Sequence, residues 1–111
     1  MSLKDTIIED TKTAMRNKDA STLGTLRLLQ AAIKQKEIDD RITLDDADIV
    51  TVLQKMLKQR QDSIEAFRQA NRQDLLDKEE MEVKVLNQYM PQQLSIDEIT
   101  EIIEEIGRAH V

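Results

Sequence analysis

The chain has 111 residues, with 16 lysines and arginines against 22 aspartates and glutamates, a net charge of −6 and no cysteine. This length fits one domain, or one domain plus a fragment of a second. The absence of cysteine excludes disulfides, thiol nucleophiles and thiolate metal sites, and the acidic balance argues against a broad RNA or DNA surface, whose affinity comes from neutralising phosphates. Aromatic residues make up 2% of the chain and charged residues 34%, so Leu, Ile, Val, Ala and Met must build the core of a protein rich in surface ion pairs.

The first helix is predicted over residues 3–17 with Ser2 as its cap, and Leu3, Ile7 and Ala14, with Ile8, Thr11 and Met15 beside them, form its apolar stripe. Asn17-Lys18-Asp19 reads as a turn, and Asp19 or Ser21 as the cap of a second helix over residues 21–38. Leu23, Leu26, Leu29, Ala32, Ile33 and Ile38 are its expected inward set, with Gln30 outside it. Gly24 lies early in this helix, where close helix–helix approach is the expected reason for a residue that costs up to ~1 kcal/mol relative to Ala.

Residues 39–42 read as a loop, with Thr43 and Asp46 as the capping signal of a third and longest helix over residues 44–70. Ile49, Leu53, Met56, Leu57, Ile64 and Phe67 should face inward. Asn71-Arg72-Gln73 breaks the pattern, and a fourth helix follows over residues 74–89, burying Leu75, Val83, Leu86 and Tyr89 until Pro91 stops it. Ser95 and Glu98 then have capping-box spacing, flanked by Leu94 and Ile99 as a hydrophobic staple. The short helix they announce carries Ile99, Ile102, Ile103 and Ile106 on one face, a candidate docking face that needs something to pack on.

The fold expected is therefore all-α. A multihelical N-terminal subdomain over residues 1–90, containing a long antiparallel hairpin, is joined by a linker at 91–94 to the first helix of a second, incomplete subdomain at 95–111. Residues 106–111 match one reading frame of a sequencing-library adapter and are read as an artefact; His110, the single histidine, lies there and is a poor catalyst candidate. No apolar run reaches membrane-spanning length, and Met1-Ser2-Leu3-Lys4-Asp5 has no apolar signal region, so the expectation is a cytoplasmic protein with no membrane attachment.

An antiparallel hairpin of the third and fourth helices turning at Asn71 sets Phe67 opposite Leu75, Ile64 opposite Lys78 or Glu79, Leu57 or Met56 opposite Leu86, and Leu53 opposite Tyr89. On that register Arg60 faces Glu82, both on apolar stripes, where a bidentate pair is tolerated and a lone charge is not. Arg60, Glu82 and Glu79 are read as a structural ion-pair group, the alternative being a polar site open to a ligand. Asp74–Lys78, Lys78–Glu82 and Glu80–Lys84 have the spacing of i, i+4 pairs on a solvated face. Lys55, Lys58, Arg68 and Arg72 are the candidate RNA or partner contacts, interrupted by Asp62 and Glu65. Tyr89 should pack while its hydroxyl reaches a polar neighbour. No catalytic, metal-binding or cofactor-binding constellation appears.

The series Leu57-Lys58-Gln59-Arg60, Asp62-Ser63, Phe67, Ala70, Arg72, Asp74-Leu75, Lys78-Glu79 and Glu82, ending in Tyr89-Met90-Pro91-Gln92-Gln93-Leu94-Ser95, resembles the YqeY family. Ser2-Leu3, Met15-Arg16, Lys18 and Leu26-Arg27 resemble the start of that family. Its domain is related to the tail of the B subunit of the tRNA-dependent amidotransferase. The resemblance implies a small cytosolic all-helical protein of two subdomains, C-terminally truncated here. The function it implies is that of a non-catalytic accessory module binding tRNA or a translation-related protein. The alternatives are a carbon–nitrogen ligase using glutamine as amide donor and a pure protein-interaction domain. Glutamine hydrolysis needs an activated nucleophile, a base and an oxyanion hole, and Ser63 and Ser95 read only as helix-surface and cap residues.

Overall fold

The computed structural model describes residues 2–91. They form four helices, α1 (Leu3–Arg16), α2 (Ala20–Asp40), α3 (Asp46–Gln69) and α4 (Gln73–Asn87), and no strand. The expected all-α class holds, with the α3–α4 hairpin as its longest unit. The isoleucine face at Ile99, Ile102, Ile103 and Ile106 and residues 92–94 of the expected linker lie outside the described residues.

The starts of α1, α2 and α3 are each fixed by a short acidic or hydroxyl side chain, whereas α4, with Arg72 at its N-cap, has no side-chain cap. Ser2 accepts from the Asp5 amide at 3.2 Å while Asp5 takes the Ser2 amide at 3.4 Å, a reciprocal box that satisfies two otherwise orphaned donors. Asp19 accepts from the Thr22 amide at 3.2 Å to start α2. The cap of α3 is Asp45, not Thr43: it accepts from the Asp48 amide at 2.8 Å and Asp48 returns the bond at 3.2 Å. Asp46, the partner Thr43 would need for its own box, accepts instead from the Leu3 amide at 2.9 Å, and Thr43 and Leu44 remain in the loop. Asp39 and Asp40, expected in that loop, complete the last turn of α2.

The three inter-helix turns share one device. Lys18, Arg41 and Asn71 take left-handed φ values of 54°, 55° and 56°. Behind them the Asp19, Ile42 and Arg72 amides reach back to the carbonyls of Ala14, Glu37 and Phe67 at 3.0, 3.2 and 3.0 Å. These are Schellman endings, built here without glycine, and they reverse the chain sharply enough to make α1–α2 and α3–α4 antiparallel hairpins.

The hairpins close on one core, with Ile7, Leu26, Leu29, Ile49, Leu53, Ile64, Val83 and Leu86 fully buried. Each such side chain contributes about 1.5–3 kcal/mol relative to exposure. In α1, Ile7, Thr11 and Ala14 face this core, whereas Ile8 and Met15 are 40% and 52% exposed. In α3 the inward set is as expected, with Gln61 added and Phe67 only half-buried. In α4 the buried set is Leu76, Glu82, Val83, Val85 and Leu86, with Leu75 half-buried.

Helix α2 departs most from its expected packing. Ile38 is 59% exposed and Leu28 49% exposed, so the inward set is Thr25, Leu26, Leu29 and Ile33. Gly24 serves no close helix–helix approach within the fold either: a Cβ built on it meets nothing within 4 Å.

Candidate functional site

The hairpin register places Arg60 against Glu82. Arg60 Nε donates to Glu82 Oε2 at 2.9 Å, and its Nη1 donates to the Met56 carbonyl at 3.3 Å. Their side chains are 14% and 10% exposed, so most of the water that would solvate two charges has been removed. A guanidinium in that position needs both acceptors, and α3 and α4 supply one each. Glu79 sits half-buried beside this pair, where burial, and then the charge of Glu82, push its carboxyl above the usual carboxylate range against the opposing pull of Arg60 and Lys78. The resulting group is a compact acid–base cluster bridging two helices.

Further polar links run between helices. Tyr89 is 7% exposed and its hydroxyl donates to Asp10 Oδ2 at 2.8 Å, joining the end of α4 to α1. Burial first, and then the bond to the Asp10 carboxylate, hold the phenol protonated well beyond its usual range. Glu37 Oε2 takes both the Lys4 ammonium and, at 2.9 Å, the Leu44 amide, tying α1, α2 and the loop before α3 together. The Lys4 bond, then the Leu44 bond, lower the Glu37 pKa. Gln30, outside the apolar stripe, also crosses between helices by donating to Thr11 Oγ1 at 3.1 Å.

The four candidate RNA or partner contacts are all exposed, but the fold does not gather them into one patch. Arg68 lies 3.9 Å from Glu65, and Arg72 pairs with Asp74 at 3.3 Å. Lys55 opens onto a groove of about 440 Å³ between α2 and α3, floored by Ala32, Leu44, Val52 and Met56. Lys55 and Lys58 form no ion pair among the described residues. Two of the three i, i+4 pairs expected along α4 are displaced by other partners, Asp74 taking Arg72 and Glu82 taking Arg60, which leaves Lys78 outside both pairs; Glu80 and Lys84 form no ion pair among the described residues. Among the described residues, no helix is long and apolar enough to cross a membrane, and no group of three or more His, Cys, Asp or Glu could hold a metal ion.

Sequence reasoning did not find the Tyr89–Asp10 and Lys4–Glu37 links. Both connect residues far apart in the chain, and neither partner repeats with helical period. Lys4 with Glu37 and Thr11 with Gln30 share one α1–α2 register, centred between Ala20 and Ser21 and not on the turn at Lys18, so the turn alone did not announce it.

The model of the family described as "Yqey-like protein" matches residues 4–109. A Lachancea thermotolerans protein named "Altered inheritance of mitochondria protein 41, mitochondrial" is 40% identical over 85 residues, covering 76% of this chain and 46% of the relative. The Candida glabrata protein of the same name is 37% identical over 87 residues, covering 77% and 48%. A Schizosaccharomyces pombe protein is 32% identical over 82 residues, covering 74% and 67%. The chain thus spans about half the length of the first two relatives.

These matches correct two expectations. The Lachancea thermotolerans and Candida glabrata relatives are named as mitochondrial proteins, which points to the mitochondrion and overturns the cytoplasmic expectation. The expected C-terminal truncation is not borne out, since the family match runs on to residue 109. With the motif series from Leu57 to Ser95 inside a match of that extent, the chain belongs to the Yqey-like protein family.

Proposed function

We propose that the chain is a non-catalytic helical accessory module that works by docking to a protein partner. The observation that carries this reading is where the polar groups that cross between its helices end. Arg60 ends on Glu82, Tyr89 on Asp10, and Glu37 on Lys4 and the Leu44 amide, each in another helix or loop. Groups held this way align helices and are not poised towards an incoming substrate. The relation of the family domain to the amidotransferase tail supports translation as the setting. The relatives' names support the mitochondrion as the compartment.

A second reading, binding of tRNA, draws on Lys55 and Lys58, which are exposed and form no ion pair among the described residues. It is the weaker one, because Arg68 and Arg72 are held by Glu65 and Asp74. Titration with bulk tRNA at several salt concentrations separates the two. A phosphate-mediated complex weakens steeply with salt, and such a complex, lost in a Lys55→Glu/Lys58→Glu variant, would favour the tRNA reading. Release of ammonia from glutamine by the purified protein, absent from a mock purification, would overturn the non-catalytic reading.

A further inference from the structure

Helix α2 is apolar on two opposite faces. The inner one, Thr25, Leu26, Leu29 and Ile33, packs in the core. The outer one is Gly24, Leu28, Ala31 and Ile38, with the polar Gln35, which donates to Asp39 at 2.8 Å, among them; every member is exposed, Leu28 at 49% and Ile38 at 59%. Helices that present apolar residues all round ordinarily have both sides covered.

The spacing of the outer face is informative. Its members follow one another at intervals of four, three, four and three, the heptad seam by which one helix receives another. Gly24 and Ala31 alternate with Leu28 and Ile38, so small positions leave hollows between large ones, and Gly24 is open on its Cβ side. Ile42, 48% exposed, lies beyond the left-handed Arg41 and lines the groove between α2 and α3, off this seam. Arg27 and Lys34 line one edge, each one position ahead of a seam residue, and exposed Ile8 of α1 shares a cleft with Lys34. Neither Arg27 nor Lys34 has an ion-pair partner among the described residues.

We propose that the outer face of α2 is a docking seam for an amphipathic helix of a partner protein, one with large apolar residues at its own seam and acidic residues along its flank. This rests on the reading of the chain as a protein-docking module. Charge selects the occupant. A second copy packed antiparallel about Ala31 would bring Arg27 close to Lys34 of the copy, a like-charge contact along the whole edge, whereas glutamates there answer both cations. An anionic membrane would also attract the basic edge. The heptad hollows at Gly24 and Ala31 fit side-chain knobs, however, and the seam lacks the aromatic residues that sit well in a lipid interface.

The test uses the full chain and a synthetic three-heptad peptide with Ile and Leu at the seam and Glu on both flanks. Saturable binding is expected, weakened at least tenfold by Leu28→Asp/Ile38→Asp, whose exposed positions leave the circular dichroism unchanged. Arg27→Glu/Lys34→Glu should weaken this peptide similarly and confer binding to the same peptide with Lys flanks. Binding indifferent to both double variants would overturn the proposal. So would a concentration-dependent dimer abolished by Leu28→Asp, or binding of anionic vesicles but not of the peptide. Ile99→Asp/Ile103→Asp that greatly tightened peptide binding would assign the seam to the chain's own C-terminal residues and overturn an outside partner. Any of these leaves the docking role to be met by another surface; ammonia release from glutamine would remove the role itself.

Discussion

Arg60 and Glu82 meet across the α3–α4 seam at 2.9 Å, each on an otherwise apolar stripe and each nearly closed off from solvent. The pair is directional: of the positions along the hairpin, it joins the ones that face each other when the chain turns at Asn71. Apolar side chains alone would tolerate a slip of one helical turn, because leucine and methionine repack readily. A slip here would bury a guanidinium without its carboxylate.

Tyr89 is the only tyrosine, so absorbance of its phenolate reports this one site. Its folded pKa is raised above the ordinary value near 10, so the native state holds the proton more tightly than the unfolded chain does. The stability this contributes is complete below about pH 10 and is lost as pH rises further. Spectrophotometric titration of the folded protein should show little phenolate at pH 10, and Asp10→Asn should bring the onset down. Tyr89→Phe should cost about 1 kcal/mol, since Asp10 is only partly buried and regains water.

Glu37 behaves in the opposite sense. Its folded pKa is depressed by Lys4 and the Leu44 amide, so its contribution is present above the unfolded carboxyl value and is lost as pH falls through the folded one. Urea midpoints measured from pH 7 down to pH 3 should fall more steeply for the parent than for Glu37→Gln in the acid part of that range. Equal slopes would show that this bridge contributes nothing to acid sensitivity.

Gly24 is in the interior of α2, exposed, with room for a methyl group. Gly24→Ala should therefore raise stability by up to ~1 kcal/mol, through lower unfolded-chain entropy and better helix propensity. Thermal melts would detect it, and a destabilised variant would mean that the backbone at Gly24 needs its freedom.

How much of this was legible depended on whether local chemistry or tertiary competition decided each feature. Ser2 and Asp19 announced their helices because a cap acts on amides only two or three residues away. The Arg60–Glu82 register followed from one turn at Asn71 and two rigid helices. Periodicity failed in α2 because apolar residues occupy two faces, and no count of spacings says which one the core takes; Ile38 was accordingly expected inside. Thr43 lost the cap of α3 to Asp45, its own partner Asp46 being taken by the Leu3 amide. The Tyr89–Asp10 link needed the two hairpins docked before it could be seen. Surface function was least legible, since an exposed lysine looks the same in sequence whether or not a carboxylate neutralises it.

The account holds that the interior polar groups are clasps between helices, and a double-mutant cycle in urea unfolding on Arg60 and Glu82 tests this most directly. Glu82→Leu alone, which strands a buried guanidinium, should cost about 3 kcal/mol, while Arg60→Met/Glu82→Leu should return to within about 1 kcal/mol of the parent or exceed it. Single substitutions that cost less than about 0.5 kcal/mol, the level of an exposed surface pair, with no coupling in the double variant, would contradict it.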